Sequence, residues 1–185
     1  MKTTKKVTLS AMLVALGTSL MLLGSMIEVL DLSVCAIASL IVVFVYLELG
    51  SPYSWLVWLC TSLCTALIYS GSIVWVEYFL VFGIYPLLKA YIEKLPRLAW
   101  WPTKLIFINA VIWALFWVCE LLLGIPFFGE DAMIMKIAVY VLMNVAFVAY
   151  DMFITVMVRL YYDRIRHRFK KFLRFDNNKK DKEHK

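Results

Sequence analysis

A small set of polar side chains interrupts the apolar stretches of this 185-residue chain, and these residues could bind a ligand. Asn109 and Glu120 are eleven residues apart, which is three helical turns, so they share one face, with Trp113 between them and near that face. Polar and ionisable residues in a membrane usually face the bundle interior or a water-filled cavity. We therefore predict an outward-opening polar cavity between the fourth, fifth and sixth apolar stretches. Its candidate substrate-binding residues are Glu77, Asn109, Trp113, Glu120, Tyr140, Asn144 and Asp151.

A purely structural interpretation of these residues stays open. Tyr140, Asn144 and Asp151 share one face of the last stretch, because positions 144 and 151 differ by two turns. Buried contacts between helices, such as Asp151 with Asn109, would then only fix the register of the helices.

The apolar stretches lack the residues that common catalytic mechanisms need. Both histidines lie in the C-terminal tail, which leaves no His-based catalysis and no HExxH zinc arrangement in the apolar interior. Glu120 and Asp151 lie at different depths, so they do not form the proton-sharing carboxylate pair of an aspartyl protease. Cys60 and Cys64 are one turn apart and could hold a soft metal, but buried free cysteines usually behave as small hydrophobes. We expect no enzymatic activity, no cofactor and no metal.

The elements that position these side chains are long and apolar. Hydrophobic residues make up 63% of the chain and charged residues 17%, whereas soluble domains have roughly 45–50% and about a quarter. Several blocks approach the roughly 20 residues that cross a bilayer. The pattern predicts an all-α membrane protein with one transmembrane domain of six helices over residues 1–160. The predicted spans are about residues 7–28, 32–49, 53–70, 73–90, 103–125 and 133–159.

Basic residues predict the orientation of the spans, because short flanking segments rich in Lys and Arg stay in the cytoplasm. With the N-terminus inside, all but one of the 19 Lys and Arg residues are cytoplasmic, and the exception is Lys136. We therefore expect both termini in the cytoplasm.

Residues 161–185 form a basic tail, and eleven of the 19 Lys and Arg residues lie between Arg159 and Lys185. The segment "RLYYDRIRHRFKKFLRF" interleaves apolar and basic residues. This is typical of a helix on the anionic inner leaflet, where each basic residue adds about 1 kcal/mol. We expect the tail to bind membrane lipids, with docking of a soluble partner as the alternative. The net charge of +6 is concentrated there and does not indicate nucleic-acid binding.

The first helix carries two strips of small residues. One strip contains Ala11, Ala15, Thr18 and Ser25, and the other contains Ser10, Gly17 and Gly24. Small residues let transmembrane backbones approach closely. We expect one strip to pack within the bundle and the other against a separate subunit, unless both serve internal packing. The candidates for packing against a partner helix are Ala11, Ala15, Thr18, Gly17 and Gly24.

Six spans, cytoplasmic termini, the chain length and the pair Ala11-x-x-x-Ala15 together resemble the S components of energy-coupling factor (ECF) transporters. In that family the alanine pair of the first helix packs against the transmembrane T subunit, which works with ATPases. A small nutrient, often a vitamin, binds from outside. The resemblance implies that Ala11 and Ala15 dock a T subunit, that the polar cavity binds a small molecule, and that the protein lies in a bacterial inner membrane.

The segment "VFGIYPLLKAYIEKLPR" also resembles part of a group of clostridial-type membrane proteins of unknown function. In these proteins a recurring block lies at the inner end of the fourth span, and its counterparts here are Gly83, Tyr85, Pro86, Lys89 and Glu93. Pro86 is expected to loosen the local helix ladder because proline supplies no N–H.

A non-catalytic scaffold is the alternative function. The chain is similar to MreD-type proteins of the cell-elongation machinery in being small, polytopic and basic at its end. A substrate binder needs convergent polar groups, whereas a scaffold needs exposed packing strips and tolerates the loss of Glu120 or Asn144.

Overall fold

The computed structural model describes residues 3–27, 30–72, 74–123 and 133–165, and no strand occurs among them. The chain is all-helical over these ranges. Its elements are α1 (Thr3–Ser25), α2 (Asp31–Glu48), α3 (Ser51–Ile68), α4 (Val74–Glu77), the π-helical segment π1 (Tyr78–Phe82), α5 (Tyr85–Ile92), α6 (Arg97–Leu123), α7 (Met133–Leu160) and the π-helical segment π2 (Tyr161–Ile165).

Six helical stretches of the described chain are long and apolar enough to cross a membrane, which confirms the predicted number of spans. The fourth of these stretches is Val74–Ile92, in which α4, π1 and α5 follow one another. α6 begins at Arg97, earlier than the predicted start near residue 103, and continues through Pro102. A proline does not end a transmembrane helix when neighbouring groups satisfy the freed carbonyl.

The fourth span is not a continuous α-helix, which departs from the predicted single helix. The Gly83 N–H donates to the Tyr78 carbonyl oxygen at 2.7 Å, five residues back, as in a π-helix. Pro86 lies in the first turn of α5, where proline is tolerated because its missing N–H has no partner to lose. The ladder is therefore interrupted between Phe82 and Tyr85, near the middle of the span.

α1, α2 and α3 pack against one another in the first part of the chain. Two glycines of α1 allow close contact: a Cβ on Gly24 would lie 2.8 Å from the Cβ of Val34, and one on Gly17 would lie 3.2 Å from Cγ2 of Thr61. Close contact of this kind holds helices together in lipid, because the surrounding hydrocarbon is as apolar as the helix surfaces themselves.

The connection from α2 to α3 is a single tight turn. Gly50 has φ of +97°, in the region that other residues rarely adopt, and Pro52 follows within the first turn of α3. Short connections make successive helices antiparallel. α1 and α3 therefore end, and α2 and α4 begin, at one end of the bundle, here called the Asp31 end after the first residue of α2.

The chain forms two compact units, Met1–Phe147 and Val148–Lys185. The described part of the second unit is residues 148–165, in which Asp151, Ile154 and Tyr161 are buried. Within this unit the hydroxyl of Thr155 donates to the Asp151 carbonyl oxygen at 2.8 Å. The rest of the predicted basic tail, residues 166–185, lies outside the described residues.

Candidate functional site

Two carboxyl groups lie in the same region at the Asp31 end. Asp31 is the first residue of α2 and Glu77 is the last residue of α4. Their carboxyl groups are close enough for negative charges on them to repel each other. The Oε2 atom of Glu77 is buried and has no hydrogen-bond partner. A buried acceptor without a partner costs roughly 1–3 kcal/mol, and more when it is charged. This pair therefore favours a ligand group that donates hydrogen bonds or carries positive charge.

A thiol lies directly beneath this carboxyl pair. Cys35 is one turn after Asp31 in α2 and fully buried. Its Sγ lies 3.7 Å from the carbonyl oxygen of Val74 and 3.9 Å from Sδ of Met21, so the thiol joins α1, α2 and α4. It is also within electrostatic range of both carboxyl groups. A thiol buried in this way is chemically inert, and its role here is to fill the space under α4.

Two hydroxyl groups extend the cluster toward α3. Tyr78 follows Glu77 and is 1% exposed, and its side chain interacts with that of Thr61 and with Cys35. Thr61 also contacts Gly17 on α1. The Asp31 cluster, defined as Asp31, Cys35, Thr61, Glu77 and Tyr78, thus combines two acids, a thiol and two hydroxyls contributed by α2, α3, α4 and π1.

Sequence reasoning identified only one member of this cluster, Glu77. The signal that it overlooked is the spacing of Asp31 and Cys35, which places a polar residue one turn below an acid on the same face of α2. The proximity of Tyr78 to Thr61 has no sequence signal, because the two residues belong to different helices and come together only through packing.

The structure brings together two of the other predicted site residues, Asn109 and Tyr140. The Tyr140 hydroxyl of α7 donates to Oδ1 of Asn109 on α6, and the Asn109 amide donates to the Leu105 carbonyl oxygen at 2.8 Å. The amide of Asn144 donates to the carbonyl oxygen of Tyr140 in its own helix at 3.0 Å. The first of these bonds joins α6 to α7, and the other two lie within a single helix each. The structural interpretation expects contacts of this kind.

The remaining predicted residues lie elsewhere. Trp113 is 62% exposed and Glu120 is also exposed, so both lie on the surface of the bundle. Asp151 is buried in the second unit. Among the described residues no group of three or more His, Cys, Asp or Glu side chains is arranged to hold a metal ion.

The block predicted at the end of the fourth span is mostly buried. The ring of Tyr85 stacks on Phe107 with centroids 5.8 Å apart and meets Phe147 edge-on at 4.7 Å. Lys89 is buried, and its Nζ lies 3.7 Å from Oε1 of Glu93 one turn later. The ring contacts of Tyr85 tie α5 to α6 and to the middle of α7.

The two strips of α1 differ in their surroundings. Ser10, Gly17 and Gly24 of one strip are buried, and so is Thr18, which the helical wheel had placed with the alanines. Ala11 and Ala15 are exposed. Gly17, Thr18 and Gly24 therefore pack within the chain, and the alanine pair is the part of α1 that faces outward.

No protein-family model, curated protein sequence or solved structure matches the chain.

Proposed function

We propose that this chain is the small-molecule-binding subunit of a bacterial ECF-type uptake transporter, with an S-component-like fold and both termini in the cytoplasm. The division of α1 into a buried face and an outward-facing alanine pair supports this proposal. The buried face already supplies the packing of α1 on α2 and α3. The alanine pair is then free to meet another subunit.

The alanine pair suits a protein partner better than it suits lipid. Ala11 and Ala15 lie one turn apart and are each followed by a larger exposed residue, Met12 and Leu16. A partner helix that approaches closely gains dispersion contacts along the backbone, which lipid chains do not provide to the same degree.

In the proposed orientation the Asp31 end faces the outside, where a nutrient would enter. The carboxyl groups of Asp31 and Glu77 favour a substrate with an amine or another cationic or hydrogen-bond-donating group. This moves the proposed binding site from the expected cavity between the last three spans to the Asp31 cluster.

Affinity purification tests the docking half of the proposal. The tagged protein is extracted from native membranes in a mild detergent, and co-purifying proteins are identified by mass spectrometry. A T subunit with paired ATPases is expected, and it should be lost in Ala11→Trp and Ala15→Trp. Leu16→Trp is the control, because it places the same side chain at an exposed position of α1 outside the alanine pair. Unchanged recovery in the alanine variants would refute this docking face.

A ligand screen tests the binding half. The melting temperature of the purified protein is measured with a panel of water-soluble vitamins and amines. A ligand that raises it should lose most of its effect in Glu77→Gln and keep it in Glu120→Gln, because only Glu77 belongs to the Asp31 cluster. A ligand whose effect is lost in Glu120→Gln instead would place the site on α6.

The exposed positions of Trp113 and Glu120 favour a second candidate, a non-catalytic scaffold of the cell envelope. Polar and aromatic residues on the surface of α6 suit contact with other membrane proteins better than binding of a substrate inside the bundle. Recovery of cell-envelope proteins without an ATPase, together with tolerance of Glu77→Gln, would support the scaffold.

A further inference from the structure

The interruption of the fourth span is held by one side chain of α3. A Cβ on Gly83 would lie 2.3 Å from Cδ1 of Trp58, so the indole occupies the space that any other residue at position 83 would need. The Trp58 Nε1–H donates to the carbonyl oxygen of Phe79 at 3.2 Å, and the two rings stack with centroids 5.0 Å apart. Trp58 therefore contacts π1 at Phe79 and also lies against Gly83, the first residue of the interruption.

The backbone around Gly83 is suited to bending. The residues on one side form a π-helical segment, and Pro86 on the other side supplies no N–H. π-helical turns and prolines are the usual places where helices kink, and π-helical turns occur frequently at functional sites. Hinges in proteins are a few residues of this kind that absorb the change in backbone angles.

Opposing interactions act on α4 and π1, the part of the fourth span that precedes this interruption. The observed arrangement buries the Oε2 atom of Glu77 without a hydrogen bond, and this burial makes the arrangement less stable. The hydrogen bond and the stacking of Trp58 on π1 favour it. Outward movement of α4 would hydrate the Glu77 carboxyl and uncover Cys35, whose sulfur lies 3.7 Å from the Val74 carbonyl oxygen.

We propose that α4 and π1 form a hinged lid that swings about Gly83 and Ile84 to open the Asp31 end, and that Trp58 is the latch that holds this lid closed. The proposal goes beyond the transport function and does not depend on it, because it concerns access to the Asp31 cluster whatever that cluster binds.

Native Cys35 is a built-in reporter for this movement, because it is fully buried under α4. In a background in which Cys60, Cys64 and Cys119 are replaced by alanine, the protein is reconstituted in nanodiscs, where both membrane faces are accessible. The rate of Cys35 modification by a water-soluble maleimide is then followed by mass spectrometry. Trp58→Phe keeps an aromatic ring but removes the hydrogen bond to Phe79 and leaves that carbonyl oxygen without its donor. It should raise the modification rate about tenfold.

Two controls separate a lid from general loosening. Trp55→Phe makes the same change one turn away on α3, where the indole meets Trp58 at a steep angle and interacts with the Tyr91 side chain of α5, and it should leave the rate within about twofold. A second reporter, Val45→Cys combined with Cys35→Ala, places the thiol at a fully buried position far from α4 along α2. Its rate should not change in Trp58→Phe.

Three results would each contradict the proposal. The first is an unchanged modification rate of Cys35 in Trp58→Phe, which would mean that Trp58 does not hold the lid closed. The second is an equal rise at Cys35 and at Val45→Cys, which would mean that the variant loosens the whole bundle. An equal rise of the Cys35 rate in Trp55→Phe and Trp58→Phe would overturn the assignment of Trp58 as the latch.

Discussion

Replacing Gly24 by alanine perturbs the α1–α2 contact at a point where the neighbouring side chain cannot move away. The new Cβ would lie 2.8 Å from both Cβ and Cγ1 of Val34 and 3.0 Å from Cγ2. The Cβ of Val34 is attached to the backbone, so no change of rotamer relieves its contact, and the β-branched side chain has few other rotamers in a helix. The two helices must therefore separate by several tenths of an ångström.

The size of the effect follows from two opposing contributions. Overpacking of a well-packed interior costs about 1–3 kcal/mol, and the upper part of that range applies because atoms fixed to the backbone collide. Alanine regains about 1 kcal/mol over glycine in helix propensity. We expect Gly24→Ala to lower the free energy of unfolding by about 1–2 kcal/mol.

Equilibrium unfolding in mixed detergent micelles, followed by far-UV circular dichroism, measures this change. Gly71→Ala is the matched control, because a Cβ at that position meets nothing within 4 Å. It should change the free energy of unfolding by less than about 0.5 kcal/mol.

A second substitution tests the cause. Val34→Ala removes the two Cγ contacts but keeps the Cβ at 2.8 Å, so the cost of Gly24→Ala should shrink in that background without vanishing. A Gly24→Ala protein as stable as the parent would refute the close approach. A cost that is the same with Val34 and with alanine at that position would show that another contact is responsible.

The other contacts give smaller effects in the same unfolding assay. Tyr140→Phe removes the hydrogen bond to Asn109 and should cost about 0.6 kcal/mol, the average for bonds between transmembrane helices. Asn144→Ala removes only a bond within its own helix and should cost less than Tyr140→Phe; the reverse order would contradict the assignment of these bonds. Glu93→Gln should cost less than about 1 kcal/mol, because its pairing with Lys89 spans 3.7 Å and Glu93 is exposed. A loss above about 2 kcal/mol would show that this ion pair supports α5 more strongly than exposed pairs do.

The number of spans and most of their bounds could be predicted from the sequence because both depend on local composition. A run of about 20 apolar residues crosses a bilayer whatever its neighbours are, and the six stretches of the structure match the six that hydropathy predicts. The sequence did not show that Gly24 packs closely against α2 while Ala11 is exposed. A helical wheel shows which residues share a face but not which face meets another helix.

The fourth span shows where local reasoning stops. Pro86 predicts a looser ladder, but its missing N–H does not specify a π-helical segment at Tyr78–Phe82. That segment fits because Trp58 of another helix fills the space beside Gly83 and binds the carbonyl oxygen of Phe79. The partner that makes the interruption tolerable lies 21 residues away in the chain.

The candidate site could not be predicted without the tertiary structure, for the same reason. Ionisable residues within the apolar stretches are few, and such residues are costly in a membrane, so Glu77 could be predicted as a site residue from the sequence. The sequence also determined the membrane class and the six spans, since hydrophobicity acts residue by residue. Which polar residues meet depends on the rotation and packing of whole helices. Packing alone decided that Glu77 lies beside Asp31 above Cys35, that Asn109 bonds to Tyr140, and that Glu120 lies on the surface.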